Sequence, residues 1–213
     1  MEPSVLSPTY PYCRDQQYNT MKGADEIPRK VCTYLMDMPL PGYTPPDSND
    51  YPRARLMRYL YNDDNDPLNG PLPTPAQKMQ ILFDPLHPTQ PQDPTKGFRI
   101  FPQEYVAQAQ LEGSTRLYCT MGQSLARSVY RTELSVVIDV VTNVNYESAS
   151  GFALSRTFSM ECAILEAMNG VNMDGVGTFY FDRTQHSGCG SWPISDRGTN
   201  LGRHIVLGLT WQG

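Results

Sequence analysis

Asp182, His186 and Cys189 form the one local cluster in the 213-residue sequence whose residue types and spacing suggest chemistry. A histidine and a cysteine this close could hold a metal, or act as base and nucleophile. A zinc site, however, takes about four ligands in tetrahedral array. Here His87, His204 and Cys162 would have to arrive from distant parts of the chain. Cysteine–histidine catalysis also needs a third group to orient the base, and no motif marks one. The bland reading, a loop histidine and cysteine that are solvated or hydrogen-bonded, is the better expectation. The acidic run Asn62-Asp63-Asp64-Asn65-Asp66 has the look of a calcium loop. An EF-hand needs a central glycine and a glutamate at its twelfth position; neither follows in register, so a solvated acidic turn is expected. Gly122-Gln123-Ser124-Leu125-Ala126 lacks the second glycine of a nucleophile elbow. No lysine-bearing phosphate loop is present. Gly170, Gly175 and Gly177 precede a strand instead of following one, the wrong context for a dinucleotide turn; they read as turn residues. The expectation is therefore a protein that is not an enzyme, with no catalytic, cofactor-binding or metal residues and no cofactor.

The elements that would position any site are organised by composition. Of 19 prolines, 18 lie at or before Pro102. Proline fixes φ and removes a backbone donor, so the first half should be short helices strung on extended segments such as Pro39–Pro46, not a regular sheet. Asp25 is expected to cap a helix in which Ile27, Val31, Tyr34 and Leu35 share a face until Pro39. Pro52 opens a second helix. Thr74-Pro75-Ala76-Gln77 is a capping box that leads a third, with Met79, Leu82 and Phe83 on its apolar side. Residues 84–96 read as a polar, proline-rich loop and 98–101 as a short strand.

The second half is patterned differently. Arg116–Met121 reads as a strand, and Tyr130–Asn145 as a long one with Leu134, Val136, Ile138, Val140 and Val144 alternating onto a buried face. A helix is expected over 150–168, its face set by Leu154, Phe158, Cys162, Leu165 and Met168 and its end by Asn169-Gly170. Val176–Asp182 is a strand, 184–202 a Gly/Ser-rich excursion, and Ile205–Trp211 the last strand. The fold class expected is α+β: a mostly antiparallel sheet with helices packed on one face, preceded by a proline-rich arm with short helices. The domain reading is a proline/tyrosine-rich arm over 1–102 and an α/β core over 103–213. The 13 tyrosines, many in the first half, suit either an arm laid on a partner or an arm packed on its own core. Deleting residues 1–50 is expected to leave a folded unit with weakened assembly.

Charge and cysteine content bound the compartment and the partners. A formal charge of −5 argues against a protein that grips nucleic acid through its phosphates. The five cysteines are odd in number, scattered and without a CxxC pair, so reduced thiols are expected. No apolar run approaches the roughly 20 residues of a membrane span, and MEPSVLSPTYPYC has neither part of a signal peptide. The expectation is a soluble chain without a membrane partner.

A family likeness adds to this. Tyr130-Arg131-Thr132-Glu133-Leu134-Ser135-Val136-Val137-Ile138 opens a long strand, and Arg156–Leu165 lies in a helix ending Met168-Asn169-Gly170. Gly175-Val176-Gly177-Thr178-Phe179-Tyr180-Phe181 and a closing strand over 203–211 complete the succession. Residues 115–213 thereby resemble tailed-bacteriophage neck proteins of the tail-terminator or head–tail joining type, whose small α/β units assemble into rings. The resemblance implies a structural virion protein, assembled in the host cytoplasm, that joins capsid and portal to the tail. It implies a homo-oligomeric ring, a hexamer by preference or a dodecamer. The implied partners are portal or connector protein and tail tube or sheath proteins, with DNA passing through without specific binding. Two other readings stand beside it: a cytoplasmic metal- or cysteine-dependent enzyme using the His186/Cys189 loop, and a tail-tube or capsid decoration protein.

Overall fold

Alternating apolar residues in a long segment give a strand that can be buried on one face and paired along both edges. Thr132–Asn143 (β3) does this at the centre of the sheet. The computed structural model of the chain describes residues 23–63, 66–83, 97–104, 115–126, 132–147, 155–196 and 199–211. The other strands are β1 (Ile100–Phe101), β2 (Arg116–Ala126), β4 (Asn172–Met173), β5 (Gly177–Tyr180), β6 (Gly190–Asp196) and β7 (Asn200–Trp211). β3 pairs antiparallel with β2 on one side and with the whole of β7 on the other, from Thr132↔Trp211 to Asn143↔Asn200. The order is β1-β2-β3-β7-β5-β4, and β6 also pairs with β7. β5 and β6 share one edge of β7, β5 along Gly208–Trp211 and β6 along Asn200–Val206. Among the described strands, only β1 joins in parallel. The fold is α+β with a mostly antiparallel sheet.

The helices are α1 (Ile27–Leu35), α2 (Pro52–Tyr61), α3 (Pro75–Ile81), the single turn α4 (Val144–Glu147) and α5 (Arg156–Met168). The three helices of the first half stand where the sequence places them, α2 and α3 each with proline in the first turn. The capping box of α3 is complete: Thr74 and Gln77 satisfy each other's backbone N–H. Two details differ from expectation. A 3₁₀ turn over Ala24–Glu26 precedes α1, and Asp25 makes no cap. In α3, Met79 is exposed while Lys78 and Ile81 are buried.

One hydrophobic cluster unites both halves of the chain. Ile27, Val31 and Leu35 of α1 and Leu56 and Leu60 of α2 belong to it, together with Leu134, Val136, Ile138 and Val140 of β3 and Ile205, Leu207 and Leu209 of β7. The buried face of α5 is not the expected one. Phe158 is 45% exposed, and the inward side chains are Thr157, Met160, Glu161, Ile164 and Ala167 with Met168. The polar members are paired there: Glu161 accepts from Arg203 of β7, and Thr157 donates to Glu147 at 2.7 Å. Val144, expected on the buried face of β3, sits instead in α4 and is exposed, because the strand has ended at Asn143. Within the excursion expected over 184–202, residues 190–196 form β6, the edge partner of β7. Pro193 is tolerated there because an edge strand leaves alternate N–H groups unused.

Buried cations tie the halves together. The Arg99 guanidinium, 1% exposed, grips both Asp63 carboxylate oxygens at 2.7 Å and donates to the Leu60 carbonyl at 2.9 Å. Arg156, fully buried, donates to Thr115 at 3.0 Å, whose hydroxyl meets Thr142 at 2.9 Å. Burial pulls the Arg156 pKa below its ordinary value.

Candidate functional site

The end of α1 builds a groove. Its C-terminal turn closes through Asp37, whose backbone takes the left-handed conformation (φ 51°) that usually falls to glycine at this position. That geometry turns the Asp37 carboxylate inward, where it accepts from the Tyr43 hydroxyl at 2.9 Å and pairs with Arg53 at 2.9 Å. The segment expected to be extended over 39–46 contains a tight turn: Leu40 and Tyr43 exchange backbone hydrogen bonds across Pro41-Gly42. Gly42 has φ 80°, which suits the third position of a type II turn.

Arg53 of α2 reaches this corner and is clasped by aromatic rings. Its guanidinium lies 4.5 Å from the Tyr34 ring centroid and 5.2 Å from that of Tyr51. It also donates to the hydroxyls of Tyr43 and Tyr51. Burial, with the hydrogen bonds to Tyr51 and Asp37, pushes the Tyr43 hydroxyl far above its ordinary pKa; burial also raises Tyr34. Beside this cage runs a groove of about 640 Å³. Tyr34, Met38, Leu40, Tyr43 and Met173 give it an apolar, aromatic lining, and Glu26, Arg29, Lys30 and Asp174 give it a mixed-charge rim. The volume lies in the range of ligand sites. Among the described residues, no histidine or cysteine lines it.

The sequence singled out other residues, and the structure places most of them. His186 is fully buried: its Nδ1 accepts from the Gly188 N–H at 3.1 Å and its Nε2 has no hydrogen-bond partner among the described residues. Cys189 is buried and its thiol donates to the Tyr180 carbonyl at 3.6 Å. Asp182 accepts from the Thr184 N–H and hydroxyl, both at 2.8 Å, which hold its pKa low. The loop is thus hydrogen-bonded within itself. It packs on the sheet face opposite the helices, where a Cβ at Gly208 would run into Tyr180 and His186. Among the described residues, no group of three or more His, Cys, Asp or Glu side chains could hold a metal ion.

His204 lies on the sheet, paired with Asp139 at 2.7 Å directly across the β3–β7 ladder, and Trp192 packs beside it. Burial pushes the Asp139 carboxyl up, and His204 opposes that shift. Cys162 is half-buried on α5. On β2, Cys119 meets Cys32 of α1; burial and this neighbour push the Cys119 thiol well above its ordinary pKa. Asp63 is not a solvated acidic residue but the partner of Arg99, and Asp66 accepts from Asn69 at 2.5 Å. Ser124 stands exposed on β2 beside a register shift. Gly170, Gly175 and Gly177 all have positive φ in the turns around β4 and β5. His87 and Asp64 lie outside the described residues.

The cage of Tyr34, Asp37, Tyr43, Tyr51 and Arg53 was not legible as a site. Its usable signals were the Pro41-Gly42 turn and tyrosines recurring near an aspartate and an arginine. No helix among the described residues is long and apolar enough to cross a membrane. No family model matches the chain, and neither a curated protein nor a solved structure matches it at a significant level.

Proposed function

We propose that this chain is a structural virion protein that closes into a ring at the neck of a tailed bacteriophage. It would act as a tail terminator or head–tail connector, joining capsid and portal to the tail while DNA passes through. The observation that carries the reading is the order of elements over 116–211. A long antiparallel pair β2–β3 is followed by α5, which ends in Asn169-Gly170 with Gly170 at φ 80°, then by β5 and the full-length partner strand β7. This is the succession on which the resemblance rests.

The mechanism is interface formation. Head-to-tail contacts that close give cyclic rings, and large apolar side chains stand at separate places on the surface to make them: Leu40, Met79, Val144, Phe158 and Trp192. A net charge of −5 suits a conduit, since each phosphate contact would add salt-dependent affinity and hinder transit. Sixfold symmetry would match a tail and twelvefold a portal. The test is the mass of the purified full-length protein by light scattering across a concentration series. A discrete hexamer or dodecamer is expected. A monomer at every concentration would count against the ring.

A further inference from the structure

We propose that the groove beside the Arg53 cage is the docking site for the chain's own proline- and tyrosine-rich N-terminal segment, residues 1–22, which lie outside the described residues. The proposal holds for a monomer or a ring and so stands apart from the neck-protein reading.

Three observations choose this occupant. The first is chemistry. Tyr34 and Tyr43 set two aromatic walls, and Met38, Leu40 and Met173 complete an apolar trough. Aromatic-lined grooves of this kind bind proline-rich segments, which are pre-extended and lose little entropy on docking. The segment carries Pro8-Thr9-Tyr10-Pro11-Tyr12. Leu40, at 66% exposure, leaves apolar surface for it to cover.

The second is charge. The rim sets Arg29 and Lys30 against Glu26 and Asp174, and Arg53 is already paired with Asp37, so no single sign dominates. The segment is balanced as well, with Glu2 and Asp15 against Arg14 and Lys22. A strongly charged ligand gains nothing here, whereas a neutral, extended chain does.

The third is where the segment joins the fold. It enters at Gly23, one residue before the 3₁₀ turn whose Glu26 stands on the groove rim. In polyproline form, at about 3.1 Å per residue, the stretch from Tyr12 to Gly23 reaches on the order of 34 Å. That is about twice the radius of gyration expected for a chain of this length, enough for the groove of its own chain or that of a neighbour.

Cys13 makes the proposal testable in the full-length protein. Of the cysteines the structure describes, Cys32, Cys119 and Cys189 are buried and Cys162 is half-buried, so Cys13 is the thiol chosen to pair with one introduced at the exposed Leu40. Leu40→Cys is oxidised under mild conditions and the rate of disulfide formation with Cys13 is followed by peptide mapping. The comparison is the same protein carrying Tyr10→Ser, Pro11→Ser and Tyr12→Ser, which keeps the tether length and Cys13 but removes the docking side chains. A rate at least tenfold slower in the triple variant is expected. Equal rates in the two proteins would overturn the proposal, because tethering alone would then explain the bond. Whether the disulfide closes within one chain or between chains reports only on exchange between copies, and light scattering of the same samples shows whether the ring reading fails independently.

Discussion

Deleting residues 1–50 removes α1, and the structure makes this a severe lesion. Ile27, Val31, Cys32 and Met36 are fully buried and Leu35 is 2% exposed. Burying one large aliphatic side chain stabilises by about 1.5–3 kcal/mol. Ile27, Val31, Leu35 and Met36 together therefore contribute roughly 6–12 kcal/mol, against a total stability of about 5–15 kcal/mol for an ordinary domain. Some chain entropy is recovered when the helix is deleted, but the sheet surface under it opens to water, including Cys119 where Cys32 sat. The earlier expectation of a folded 51–213 unit is thus reversed. A chain beginning at Gly23, by contrast, keeps every described residue of the core cluster. The assay is thermal melting by circular dichroism of the full-length protein, 23–213 and 51–213. We expect 23–213 to melt cooperatively close to the full chain, and 51–213 to be insoluble or to lack a cooperative transition. A cooperative melt of 51–213 within a few degrees of the full-length protein would refute the packing argument.

Arg99→Ala should cost about 3–5 kcal/mol, because it strands the Asp63 carboxylate and the Leu60 carbonyl. In a denaturation cycle with Asp63→Asn the double variant should lose less than the sum of the singles, and additivity would show the pair uncoupled. Gly177→Ala should cost about 3 kcal/mol or more, since φ 127° disfavours a side chain and its Cβ would meet the Thr210 carbonyl; unchanged stability would contradict the β5–β7 register. Tyr43→Phe should cost about 1–3 kcal/mol at neutral pH by removing the bonds to Asp37 and Arg53. The Tyr43 pKa is raised on folding from 10.0, so its contribution is complete below pH 10 and is lost as pH rises through the higher folded value. The gap between wild type and Tyr43→Phe should therefore narrow above pH 10, and a gap that widens there would reverse the sign of the argument.

Much of the architecture was legible because local signals agreed with the tertiary outcome. Proline at the start of α2, the Thr74–Gln77 box and Asn169-Gly170 each mark a helix end by its unsatisfied backbone groups, and all three stand. The alternation of β3 was equally plain because its inward residues meet one continuous core. The reading failed where packing overrode hydrophobicity. In α5 the helix rotates so that small and paired polar residues face inward, leaving Phe158 beside Arg203 at 5.6 Å from the ring centroid. β6 was hidden because Gly190, Ser191 and Pro193 look like loop, and only the edge position on β7 makes them a strand. The groove was least visible of all. Its aromatic lining depends on a left-handed Asp37 and a buried charge pair, and no periodicity announces either.

The claim that this chain closes into a ring is tested most directly by negative-stain images of the full-length protein at high concentration. Closed particles of six or twelve copies around a central hole wide enough for duplex DNA are what the account predicts. Fields of monomer-sized particles, or open filaments with no closed ring, would contradict it.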